Sequence, residues 1–344
     1  MTSVTNVTNS NKSTANINHN NPMSYSTSTQ INNWIFSTDK IASMRDEVNE
    51  NTRKEYLAKN PTEKNILSIL EEQQLICYYE YKIAEISKVL NLPDKVAATG
   101  IIYLKRFFLK NSVMKVSPKL IMICCLYLAC KTEDSHVEID FYANGVGVTA
   151  NDIIDLEIPI LESLNFNLIV YHPYRPLHGY LMDIYNPQSK VKFNNNNMTF
   201  DQMWEMSRNW VQKSLYTDLP LQYHPFIIAL ACLSLSYGQD NFKTYIEYKS
   251  QQLQIDTQSE SYQNTLLQIE HIKSLLSKVE LIDKNIVKPI DRKLIFLNNP
   301  EKQKKASKKE SSKKPTKKKL KSAPSSTVTV ENVNTEPIKD IAME

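Results

Sequence analysis

The sequence predicts an all-α protein: two tandem helical domains of about five helices each, with flanking N- and C-terminal helices and disordered tails. Three observations predict it. Strand-like alternation of apolar and polar residues is absent over any useful length. Only five glycines occur in 344 residues, which argues against a β-sandwich of tight turns and against a Gly-rich nucleotide loop. A nearly all-apolar segment opened by proline occurs twice, at Pro118 and at Pro225.

Residues 1–33 are dominated by Asn, Ser and Thr without a period and are expected to be disordered. Residues 34–60 form an N-terminal helix that Ser37 can cap, with Ile41, Met44 and Val48 on one stripe. Residues 61–170 make the first domain. Ser68 precedes a helix striped by Leu75, Tyr79, Ile83, Ile86 and Leu90, and Pro93-Asp94 opens a helix carrying Val96, Tyr103, Leu104, Phe107 and Phe108. Ser117-Pro118 supplies an N-cap and a proline at the first helical position, where its missing N–H costs nothing. The helix that follows, to about Lys131, has no polar face and must be buried at the domain centre. Thr149 with Asp152 resembles a capping box for the next helix. Pro159 lies inside that helix and is expected to kink or break it.

A shift of 107 residues lays Pro118 on Pro225, Ile121 on Ile228, Cys125 on Cys232 and Leu128 on Leu235. Residues 171–284 are therefore a second copy, interrupted by a polar loop from Pro187 to Asn197. Residues 285–299 form a C-terminal helical segment, and 300–344 a disordered basic tail. Within that tail, Glu301–Lys321 holds 11 Lys and 2 Glu, or +9, so the net charge of +4 leaves 4 − 9 = −5 for the remainder. A basic tail on a mildly acidic body fits a nuclear-import signal better than a basic nucleic-acid-binding domain.

Motifs for catalysis are missing: no G-x-G-x-x-G, G-K-S/T, H-E-x-x-H or G-x-S-x-G. Six histidines show no metal spacing, and His172 and His224 each precede proline, which suits turns or caps. Cys77, Cys124, Cys125, Cys130 and Cys232 lack C-x-x-C spacing and read as apolar core residues. No cofactor, metal or catalytic residue is expected. Neither a signal peptide nor a membrane span is expected, and the sequons at Asn6, Asn11 and Asn197 read as chance matches.

An ordered series of segments resembles the cyclin family. The first domain reads Tyr103-Leu104-Lys105-Arg106-Phe107-Phe108-Leu109-Lys110-Asn111-Ser112-Val113-Met114, then Ser117-Pro118, then Leu128-Ala129-Cys130-Lys131-Thr132-Glu133-Asp134, and closes with Leu164-Asn165-Phe166-Asn167-Leu168. The join reads Tyr171-His172-Pro173-Tyr174-Arg175-Pro176-Leu177. With Trp34-Ile35-Phe36-Ser37, these resemble the transcriptional branch, its H type most closely and its C type next, over about residues 33–285. Cell-cycle cyclins usually carry Asp where Lys105 stands, and Met-Arg-Ala-Ile-Leu where Leu75-Ile76-Cys77-Tyr78-Tyr79 stands, so the substrate-docking patch built on that run is not carried over.

The resemblance implies two tandem cyclin boxes and a regulatory subunit that binds and activates a cyclin-dependent kinase. It implies the CDK-activating kinase, membership of general transcription factor H, a RING-finger assembly subunit as third partner, and a nuclear location. It matches Lys131 and Glu157 to the pair that hydrogen-bonds kinase backbone, and Leu161, Phe166 and Leu168 to the apolar part of that surface. Under the 107-residue shift, Lys131 meets Gly238 and Glu157 meets Asn264, so the second copy lacks the pair. The alternatives are a C-type subunit of the Mediator kinase module and a nucleic-acid-binding initiation factor of the general factor B type. The latter normally has an N-terminal zinc ribbon, whereas no cysteine precedes Cys77 here.

Overall fold

The computed structural model describes residues 25–61, 63–186, 198–280 and 282–299. Among these, the chain forms fourteen α-helices and one 3₁₀ turn, and no strand. The polar loop at 187–197, the tail from residue 300 and the three sequons lie outside the described residues.

After the turn Tyr25–Thr27 come α1 (Thr29–Asn33) and α2 (Thr38–Lys59). The first repeat holds α3 (Ile69–Val89), α4 (Asp94–Phe108), α5 (Pro118–Thr132), α6 (Ile139–Val146) and α7 (Ala150–Ser163). The second holds α8 (Tyr174–Ile184), α9 (Phe200–Leu215), the single turn α10 (Leu219–Gln222), α11 (Pro225–Tyr237), α12 (Gln239–Gln252) and α13 (Glu260–Leu276). The last helix is α14 (Lys284–Asn298).

Local chemistry sets the starts. Ser37 accepts from the Lys40 amide and Ser117 from the Leu120 amide. Ser68–Glu71 and Thr149–Asp152 are reciprocal capping boxes, so Asp at the third position serves as well as Glu. Helix α5 and its counterpart α11 both begin on proline and are buried along most of their length.

Two cores result. Helices α3 to α7 enclose the first, and α8, α9, α11, α12 and α13 the second. Helix α14 returns to the first repeat, burying Val287, Ile290, Leu294 and Leu297 there. Helix α4 is as enclosed as α5, which its sequence stripe does not announce. Its polar residues are accommodated individually. Lys105 Nζ donates to Glu80 Oε1 and Oε2 at 2.8 and 2.7 Å, both side chains being almost fully buried. Gly100 lets α4 approach α5, because a Cβ there would lie 3.3 Å from Leu126 Cα.

The sequence reading ends N-terminal disorder at residue 33, and for Tyr25–Asn33 the structure corrects it. That segment is ordered because it binds the join between repeats. Gln30 and Tyr171 exchange two hydrogen bonds, at 2.7 and 3.2 Å. Trp34, 1% exposed, donates its indole N–H to Asn167 and lies under Arg106 and Lys110. Farther on, Phe36 N–H donates to Leu221 O, and Arg45 makes a bidentate pair with Asp218 at 2.6 and 2.7 Å. Arg208 of α9 pairs with Asp94 of α4, completing the contact between repeats.

Candidate functional site

Helix α5 delivers Lys131 to its last turn, where a cation complements the negative helix end. Helix α7 delivers Glu157, and the two side chains form an ion pair. Lys131 Nζ also sits 5.3 Å from the centroid of the Tyr127 ring. The Lys131 and Glu157 side chains remain 38% and 29% exposed, so the pair adds little stability and its groups are accessible to a partner. The sequence predicts these two residues as a site, and the fold brings them together.

Pro159 does not break α7, contrary to expectation: the helix runs unbroken from Ala150 to Ser163. Pro159 and Asp155 are both exposed. The carbonyl that loses its amide partner is therefore on the solvent side, where water replaces the bond.

After α7 the chain makes two consecutive left-handed residues, Asn165 (φ 51°) and Phe166 (φ 55°). Such a conformation is strained for a bulky L-residue. The turn is held by Phe166 N–H to Leu161 O at 2.9 Å and by Lys110 Nζ to Ser163 O at 2.7 Å. It leaves the Phe166 side chain outside, with the residue 63% exposed. Leu161 and Leu168 differ from Phe166: both are half-buried and pack on the first core. Leu168 also offers its carbonyl to the Tyr103 hydroxyl at 2.6 Å. They support the face more than they present it.

Ile154 and Ile158, one turn apart on α7, are 52% and 57% exposed and extend the apolar patch. Sequence reasoning missed them, although the adjacent apolar pairs Ile153-Ile154 and Ile160-Leu161 hinted that α7 has two apolar faces. The patch therefore combines a paired cation and anion with exposed apolar groups, an arrangement suited to binding another protein.

Among the described residues, no group of three His, Cys, Asp or Glu side chains is placed to hold a metal ion, and no helix is long and apolar enough to cross a membrane. Burial pushes the Cys130 thiol up to about 11, away from thiolate reactivity. His172 is hydrogen-bonded to Thr99, 2.7 Å away, and His224 is the N-cap residue of α11.

Two tandem helical bundles, each built around a proline-opened and largely buried central helix, define the class of fold. The family profiles agree: "Cyclin, N-terminal domain" matches residues 39–169 and "Cyclin C-terminal domain" matches 172–277. A Dictyostelium discoideum protein described as a cyclin-H is 50% identical over 227 residues, covering 65% of this chain and 78% of that protein. The chain belongs to the cyclin family. Within it, the similarity is to the H type. Among solved structures, a chain of the yeast TFIIK (Kin28/Ccl1/Tfb3) complex is 31% identical, with a TM-score of 0.60, covering 73% of this chain and 100% of that one. A chain of the CAK complex of Chaetomium thermophilum shares the fold, with a TM-score of 0.71 at 24% identity over 87% of this chain and 98% of that one.

Proposed function

We propose that this chain is the H-type regulatory subunit of a CDK-activating kinase, acting in cell-cycle control and in RNA polymerase II transcription as part of general transcription factor H. Its partners are the cyclin-dependent kinase and a RING-finger assembly subunit. Chemistry resides on the kinase, and the basic segment from residue 300 supports a nuclear location. The similarity to cyclin-H and to the yeast TFIIK chain supports this reading over the Mediator and initiation-factor alternatives.

The first box, 61–170, carries the grip, and the second, 171–284, braces it. Lys131 and Glu157 bind kinase backbone, and Leu161, Phe166 and Leu168 cover the apolar part. The observation that carries this assignment is the Lys131–Glu157 pair, whose Glu157 lies on a helix that also exposes Ile154 and Ile158, with exposed Phe166 in the turn that follows it. A kinase needs its catalytic lysine paired with a glutamate on the mobile αC helix. A subunit that binds only that arrangement shifts the population, and moving it from 1:99 to 99:1 takes about 5.5 kcal/mol of differential affinity. An apolar face with two charged hydrogen-bonding groups is of the right kind to supply it.

The test is reconstitution with the kinase. A Lys131→Ala, Glu157→Ala double variant is expected to lower kinase activity by roughly tenfold or more, with the melting temperature nearly unchanged because the pair is exposed. Full activation by the double variant would overturn the site assignment.

A further inference from the structure

The turn that carries Phe166 is held from more directions than its length requires. Asn165 and Asn167 stand on either side of Phe166, and the side chain of each is anchored by a distant part of the chain. Lys110, just beyond the end of α4, donates from Nζ to Asn165 Oδ1 at 3.0 Å as well as to Ser163 O. Asn33 Nδ2 and the Trp34 indole N–H both donate to Asn167 Oδ1, at 2.9 and 3.1 Å. The backbone is pinned too: Arg106 Nη1 donates to Asn167 O at 3.0 Å, and the Asn167 amide donates to Leu164 O at 3.0 Å.

One further bond closes the arrangement. Asn167 Nδ2 reaches back across Phe166 and donates to Asn165 O at 2.7 Å. The carboxamide thus accepts twice through its oxygen and donates through its nitrogen, tying the end of α1 to the left-handed pair before it. Asparagine enters the left-handed region readily, so Asn165 needs little help. Phe166 does need it, because a bulky L-residue keeps φ at 55° only where its surroundings over-determine it. Released, the residue would relax to negative φ and its ring would leave the outward position. Each of these hydrogen bonds contributes little to global stability. Their effect is local, on where one ring points.

We propose that Asn167 is a positioning residue for the kinase grip: its carboxamide locks Phe166 in the left-handed, outward conformation and acts on the kinase only through that ring. The inference rests on the reading that Phe166 contacts the kinase. Asn167→Asp separates the lock from the stability of the fold. The substitution keeps an acceptor for Asn33 and Trp34, and it sets a carboxylate near Arg106, which has no ion pair among the described residues. It also replaces the donor to Asn165 O with an oxygen, and two acceptors at that distance repel, so the turn opens.

The test is kinase affinity, measured by biolayer interferometry with the full chain and the purified cyclin-dependent kinase subunit, beside amide hydrogen exchange of the free chain. Phe166→Ala should weaken binding about tenfold or more. Asn167→Ala and Asn167→Asp should each weaken it about fivefold, and Asn167→Asp should do so without lowering the melting temperature. Either change added to Phe166→Ala should weaken binding no further, because the ring it positions is gone. In the free chain, the Phe166 amide, which donates to Leu161 O, should exchange about tenfold faster in both Asn167 variants, with α5 unaltered. Unaltered exchange at Phe166 overturns the inference, as do losses that add in the double variants. Weakened Phe166→Ala beside unaltered Asn167→Asp would sink the inference alone. Wild-type affinity of Phe166→Ala, with faster exchange in the Asn167 variants, would sink the contact of Phe166 with the kinase and the inference with it.

Discussion

The two boxes share a plan but solve their interiors and surfaces differently. Helices α4 and α9, like α5 and α11, fall in register under the 107-residue shift. In the first box the buried polar groups include charged ones, Glu72, Glu80 with Lys105, and Arg106, beside the hydroxyls of Ser87, Thr99 and Ser112. In the second they are hydroxyls, including Ser207 and Ser234, whose oxygens have no hydrogen-bond partner. Outside, the first box presents Lys131–Glu157, Ile154, Ile158 and Phe166. At the matching places the second has Gly238, where the chain passes straight from α11 into α12, and exposed Asn264. The box to which we assign the kinase grip is thus the one whose interior holds directional charged contacts. Paired charges fix one geometry where apolar packing alone tolerates several, a specificity role for which this protein is a test case.

The largest effect expected from breaking this contrast is at Lys105. Lys105→Met leaves Glu80 buried without its cation, which should cost about 3–5 kcal/mol of folding stability in denaturant titrations. Gln212→Met, the matching change in the second box, should stay within about 0.5 kcal/mol. Glu80→Leu added to Lys105→Met should recover most of the loss, since an apolar pair needs no partner. The deficit also has a pH signature. Burial pushes the Glu80 carboxyl up to about 7, with Lys105 pulling against it. Removing Lys105 removes that pull. A carboxyl raised in the fold favours the folded state below its ordinary pKa of 4.5, and that benefit is lost as pH rises through the folded value. The Lys105→Met deficit should therefore be smaller at pH 5 than at pH 8. A deficit independent of pH would show that Glu80 is not the group left stranded.

A smaller effect sharpens the surface contrast. The first box ends α7 on left-handed Asn165 and Phe166, whereas the second ends α13 on Ser277 with φ −68°. Phe166→Gly should relieve strain of about 1 kcal/mol and raise the melting temperature by roughly 2 °C. The same change removes the exposed ring and should lower kinase activation. Phe166→Ala should lower activation equally without the thermal gain. If both variants activate fully, Phe166 is no part of the grip.

Much of this contrast was legible before any coordinates. Ser37, Ser68, Ser117 and Thr149 mark helix starts because a cap is a local event. The repeat shows because a helix buried on all sides leaves an apolar run that nothing else in the chain resembles. The Lys131–Glu157 pairing came from family resemblance, since spacing alone does not say that α5 and α7 end side by side. What stayed hidden depends on distant partners. Tyr25–Asn33 has a disorder-like composition and folds only because Tyr171 and His224 receive it. Lys105 and Arg106 look like a solvated face until Glu80 and Trp34 are placed against them. Ile154 and Ile158 carry an apolar signature, and periodicity does not reveal which apolar stripe stays uncovered.

The smallest expected effect tests whether hydroxyls in the second interior serve any purpose there. Ser207 is 0% exposed, lies on α9 and has no hydrogen-bond partner for its oxygen. A buried hydroxyl without a partner costs its desolvation and returns nothing. Ser207→Ala should accordingly stabilise the chain, by roughly 0.5–1 kcal/mol in denaturant titrations, whereas most core substitutions destabilise. The helix propensity of alanine acts in the same direction. A loss of stability would mean that the hydroxyl is satisfied in solution, and the second interior would then be as directional as the first. A gain, beside the large loss at Lys105, would place the directional contacts in the first box, the one proposed to hold the kinase, and leave the second to hold its shape by packing.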